Sequence, residues 1–140
     1  MLQNLRSMIE RHEGRRKKPY RDSAGKWTVG VGHNLEADDK PLSDRVVDLM
    51  LDDDIAYAQT DAKTFPWFAG LDSVRQDVIV DMIFNMGLIT FSTFRNTIAL
   101  IAAGDYTKAA DYMLQSLWAR QVGPRAIELS KMMRTGTYGT

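Results

Sequence analysis

The sequence predicts an α+β fold that is mostly α, and three features carry that expectation. Apolar residues recur at helical spacing over most of the chain, a period of two occupies only residues 17–33, and no second strand-like stretch follows. A length of 140 residues fits one domain built as a small sheet-bearing lobe and a larger helical one. The boundaries expected are a sheet lobe over about 14–41, a linking helix over about 42–63 and a helical lobe over about 64–140. The first helix is expected to pack on the helical lobe.

Leu2, Leu5, Met8 and Ile9 place an amphipathic helix over residues 2–13, and Gly14 suits the left-handed position that closes it. Trp27, Val29 and Val31 then alternate with Lys26, Thr28 and Gly30, the pattern of a half-buried strand. Ser23-Ala24-Gly25 forms a turn, so residues 19–22 are the partner strand of an antiparallel hairpin. A long helix over 42–63 begins with Ser43 as its cap, and Phe65-Pro66-Trp67 breaks it. Residues 71–86 are apolar nearly all round, which marks the buried centre of a helical lobe. Helices over 94–103, 105–114 and 124–134 follow, with a short turn around Trp118 and Pro124 in the first turn of the last helix.

Composition narrows the function classes. The hydrophobic share of 44% and charged share of 26% describe a folded chain rather than a disordered one. Without cysteine there are neither disulfides nor thiolate metal sites, and His12 and His33 are too few for a histidine zinc site unless carboxylates complete it. No cofactor and no metal are expected. Eighteen basic residues balance eighteen acidic ones, which argues against a nucleic-acid partner despite the basic run at residues 15–18. There is no apolar run of about twenty residues and no signal-peptide pattern, so no stable membrane association is expected.

Three residues invite a chemical reading. Glu13 follows Ile9 by four, on the face of the apolar stripe, and it ends its helix where the dipole disfavours a carboxylate. Both factors favour a retained proton and hence a general acid; the alternative is a surface glutamate at a frayed helix end. If the turn pairs Asp22 with Lys26, Asp22 and Thr28 lie diagonally on one face of the hairpin, opposite Trp27, Val29 and Val31. A carboxylate beside a hydroxyl can hold a water and take its proton, as an inverting glycosidase requires. The alternative is an aspartate capping a turn and a threonine preferred in strands.

Glu13, Asp22 and Thr28, with the intervals between them and the following Val-Gly-Val-Gly-His33, resemble the catalytic signature of the T-even phage lysozymes. HEGRRKKPYRDSAGKWTVGVGHNL matches nearly throughout, and LDSVRQDVIVDMIFNMG, Trp118, Pro124-Arg125 and MRTGTY extend the likeness over most of the chain. The resemblance implies a lysozyme-like fold, with a cleft between the lobes, and inverting hydrolysis of the β-1,4 bond between N-acetylmuramic acid and N-acetylglucosamine in bacterial peptidoglycan. Glu13 would be the acid, Asp22 would activate water and Thr28 would help hold it. Gly32, Asn34, Phe84, Asn85, Thr97 and Tyr112 fall at substrate-binding positions. Arg125 matches an arginine that pairs with the catalytic glutamate, and His33 matches a structural histidine whose partner would be Asp54. The family further implies a monomeric endolysin held in the host bacterial cytoplasm until a holin, a separate membrane-permeabilising protein, opens the way to the wall.

Departures accompany the likeness. Between Asn34 and Leu49 the chain is some twenty residues shorter than the T-even form, so a small-lobe helix is expected to be missing. Asn34 replaces an apolar residue, Asn85 a glutamine and Tyr112 an asparagine. A lytic transglycosylase and an inactive wall-binding homologue are the competing readings.

Overall fold

The computed structural model describes residues 2–37 and 39–139, the side chain of Leu2 excepted. The chain divides into two compact units, residues 1–47 and 48–140.

The N-terminal unit opens with α1 (Leu2–Glu13), an amphipathic helix closed as predicted: Gly14 takes φ +77° and its N–H donates to Glu10 O at 2.8 Å. Three antiparallel strands follow in the order β1 (Arg16–Arg21), β2 (Trp27–Gly30) and β3 (His33–Asn34). Arg21 pairs with Trp27 and Tyr20 with Thr28, and Asp22 N donates to Lys26 O at 2.9 Å, so the expected hairpin register holds. Gly25 supplies the positive φ (+79°) that the turn needs.

Four expectations for this unit are corrected. β2 stops at Gly30 rather than running to His33. Gly30 and Gly32 both have positive φ, so Val31 lies in a tight turn and His33–Asn34 folds back as a third strand on β2. The first strand begins at Arg16, three residues earlier than predicted, with an irregularity between Arg16 and Tyr20 where Pro19 cannot donate to the ladder. The burial of β2 is also reversed. Thr28 is 3% exposed, flanked across the sheet by Tyr20 and Asn34, whereas Trp27 is 42% exposed. Alternation along a strand gives two faces but does not say which one is covered. The stripe of α1 is likewise exposed at Leu5, Met8 and Ile9. Between Asn34 and α2 the described residues form turns and no helix, in line with the shortened segment.

Helix α2 (Asp44–Ala62) starts at its expected cap, Ser43 Oγ accepting from Val46 N at 3.3 Å. The C-terminal unit continues through a single 3-10 turn (Phe68–Gly70) to α3 (Ser73–Met86), α4 (Leu88–Ser92), α5 (Arg95–Ala102), α6 (Tyr106–Leu114), α7 (Leu117–Val122) and α8 (Pro124–Thr135). Side chains of Asp72, Asp105 and Ser116 accept from the amides of Arg75, Lys108 and Ala119 in the first turns of α3, α6 and α7, and Pro124 opens α8. Neither α4 nor the helical form of residues 117–122 was expected, because both are too short for a periodic signal.

Among the described residues the hydrophobic core lies wholly in this unit. Phe91, Ile79, Met82, Ile101, Met113, Met133 and Val78 are its largest fully buried side chains, and each contributes roughly 1.5–3 kcal/mol by leaving water. Helix α3 buries one side (Val78, Ile79, Met82, Ile83), while Phe84 stays 41% exposed. Arg75 clamps α3 to α8. Arg75 Nε donates to Met133 O at 2.7 Å and Nη2 to Arg134 O at 3.1 Å, and the guanidinium stacks on Tyr106, its Cζ 3.9 Å from the ring centroid. These donors satisfy carbonyls at the C-terminal end of α8 that have no helical partner.

Candidate active site

The N-terminal unit holds Glu13, Asp22, Thr28, Gly32, His33 and Asn34. Glu13 is the last residue of α1, and its side chain rests on Gly32 in the turn between β2 and β3. A Cβ on Gly32 would stand 2.7 Å from Glu13 Oε2 and 2.9 Å from Cδ. The Glu13 carboxyl group thus lies against the backbone of Gly32. Glu13 itself is exposed, so its own unit does not supply the burial expected from the stripe.

Asp22 and Thr28 share one face of the sheet, as the register of the pairs Tyr20–Thr28 and Arg21–Trp27 requires. Asp22 Oδ1 accepts from Ala24 N at 2.9 Å and Lys26 N at 2.8 Å, which makes it the cap of the hairpin turn. Oδ2 has no hydrogen-bond partner among the described residues. Thr28 Oγ1 donates to Lys26 O at 3.0 Å, leaving its lone pairs as acceptors. The two residues are therefore linked through Lys26, with no direct hydrogen bond between their side chains among the described residues. Asn34 pairs with Thr28 across β2 and β3, and its Oδ1 accepts from Glu36 N at 2.9 Å. His33 pairs with Val29 and is exposed.

The C-terminal unit holds the remaining candidates, all but Asn85 bordering one of two separate hollows. Thr97, 3% exposed, and Tyr112, 42% exposed, line a cleft of about 540 Å³ with Phe94, Ser116 and Trp118. Asn85 lies outside that lining but is tied to it, its Oδ1 accepting from Trp118 Nε1 at 2.7 Å. Phe84 and Arg125 instead border a hollow of about 350 Å³ with Leu51, Ile55, Val80 and Asp81. Arg125 is paired with Asp81, Nε at 2.8 Å and Nη2 at 2.7 Å from Oδ1. Asp54 borders a third, smaller hollow with Tyr57 and Phe84.

Asp81, Trp118 and Gly32's contact with Glu13 are what sequence reasoning missed. A carboxylate set between Val80 and Met82 in an apolar helix was the available signal for Asp81. Nothing local signalled the other two. Among the described residues no three His, Asp or Glu side chains are grouped to hold a metal ion, and no helix is long and apolar enough to cross a membrane.

A family model described as phage lysozyme matches residues 10–134. The chain belongs to the phage lysozyme family. All the candidate residues lie inside the matched span, and membership makes the chain a glycosidase-type enzyme of the lysozyme class. Relatives from several sources agree with the family. A probable T4-type lysozyme of Dictyostelium discoideum is 22% identical over 165 residues, covering 98% of this chain and 97% of that protein. An endolysin of Acyrthosiphon pisum secondary endosymbiont phage 1 is 31% identical over 120 residues, 84% of this chain and 80% of that one. The pre-baseplate central spike protein Gp5 of Enterobacteria phage T4 is 27% identical over 97% of this chain, which spans only 29% of that longer protein.

Proposed function

We propose that this phage lysozyme family member hydrolyses the β-1,4 bond between N-acetylmuramic acid and N-acetylglucosamine in bacterial peptidoglycan, with inversion at the anomeric carbon. Glu13 gives its proton to the glycosidic oxygen as the bond from that oxygen to C1 breaks. Asp22 takes a proton from a water whose oxygen attacks C1 from the opposite side of the ring. Thr28 helps hold that water by accepting from it. The observation that carries the reading is the division of labour at Asp22: one oxygen fixes the turn, and the other is uncommitted on the face that Thr28 shares.

The same reading assigns Thr97, Tyr112, Phe84, Asn85, Asn34 and Gly32 to the sugar strand, and Arg125 and His33 to support of the site. It makes the protein a monomeric endolysin that reaches the wall once a holin opens the membrane.

Clearing of a purified peptidoglycan suspension tests the chemistry. Glu13→Gln is expected to abolish clearing with a melting temperature equal to or above that of the wild type, because removing a functional charge does not remove packing. Normal clearing by that variant removes Glu13 as the acid. Mass spectrometry of the released muropeptides distinguishes the rival chemistry. Reducing N-acetylmuramic acid ends are expected, and 1,6-anhydro ends would make the enzyme a lytic transglycosylase. A chain that binds walls without releasing any muropeptide would be a wall-binding homologue.

A further inference from the structure

We infer that Gly32 is the positioning residue for Glu13: the missing side chain of Gly32 is the seat of the Glu13 carboxyl group. The inference rests on the reading of Glu13 as the acid, but the contact behind it belongs to the N-terminal unit alone. A Cβ at Gly32 would lie 2.7 Å from Oε2, 2.9 Å from Cδ and 3.0 Å from Cγ of Glu13. All three separations are shorter than van der Waals contact permits, so the two groups cannot share the space.

Which group yields decides the consequence. The obstructed atoms are the outer half of a flexible side chain, not backbone. An added methyl group therefore pushes the carboxyl aside rather than unfolding the turn. An acid displaced by a few tenths of an ångström to one ångström costs much in rate, because proton transfer demands hydrogen-bond contact with the leaving oxygen.

The same turn contains its own control. Gly30 has φ +69° and Gly32 has φ +67°, so alanine at either place meets the same backbone strain. A Cβ at Gly30 meets nothing within 4 Å among the described residues. The difference between Gly30→Ala and Gly32→Ala isolates the contact with Glu13 from the conformational cost of losing a glycine.

Three measurements on the whole chain test the assignment. Carboxyl-carbon NMR of Glu13 reads the seat directly. The Glu13 Cδ resonance should move in Gly32→Ala and stay in place in Gly30→Ala. Kinetics on soluble peptidoglycan fragments should show kcat reduced by roughly 10- to 100-fold in Gly32→Ala relative to Gly30→Ala. Thermal melting should show any extra loss in Gly32→Ala relieved in Glu13→Ala/Gly32→Ala, since truncating Glu13 empties the space. Glu13 signals that respond alike in both glycine variants would overturn the assignment. So would an excess melting loss that persists without the Glu13 side chain. A wild type without muramidase activity would end the functional reading, while the NMR and melting comparisons would still decide the positioning.

Discussion

Replacing Asp22 by asparagine and by alanine separates the two jobs of its two oxygens. Oδ1 accepts the amides of Ala24 and Lys26 at 2.9 and 2.8 Å, and both bonds are near solvent, so each contributes about 1 kcal/mol to holding the turn. Asp22→Ala loses both, a cost of about 2 kcal/mol, or roughly 6 °C in melting temperature for a chain of this length. Asp22→Asn keeps an amide oxygen at the same place and gives up only the charge assistance, about 0.5 kcal/mol. Activity should follow the other oxygen. An amide cannot take a proton from water, so Asp22→Asn should lose roughly 10²–10⁴-fold in wall-clearing rate while still folded. Thermal denaturation followed by circular dichroism, beside turbidity clearing, reads the two effects separately. Wild-type clearing by Asp22→Asn would refute the base, and wild-type melting of Asp22→Ala would refute the turn cap.

Other perturbations test the frame around the site. Arg75→Ala removes two charge-assisted bonds to the end of α8 and the stack on Tyr106, and calorimetry should show a loss of about 3 kcal/mol, with Arg75→Lys recovering only part of it. The Asp72 carboxyl is pushed up by burial, but hydrogen bonds from the Arg75 amide and guanidinium, with its charge, outweigh this and hold it below the usual value. A lowered carboxylate stabilises the fold above its unfolded-state value, and the benefit is lost as pH falls through the folded one. Melting temperature should therefore drop on acidification below about pH 4, less steeply in Arg75→Ala than in the wild type. Trp27→Ala should cost about 1 kcal/mol, chiefly its stack with Arg21, whose Cζ lies 4.4 Å from the ring centroid, and should leave the specific activity of folded protein within about threefold. A stable but inactive Trp27→Ala would mean that Trp27 serves the face of Asp22 and Thr28.

What the sequence determined by itself was local. Gly14 closing α1, the Ser23-Ala24-Gly25 turn and the resulting diagonal of Asp22 and Thr28 all depend on dihedral angles and hydrogen bonds between residues a few positions apart. The same holds for the cap at Ser43 and for Pro124 at the start of α8. The tertiary structure alone decided the rest. Arg125 meets Asp81 and Trp118 meets Asn85 across 44 and 33 positions of sequence, and Glu13 finds its seat on a glycine in a distant turn. It also decided that β2 buries Thr28 and exposes Trp27. Such choices follow from which surfaces the folded chain brings within van der Waals reach, and a periodic pattern carries no information about the surface opposite.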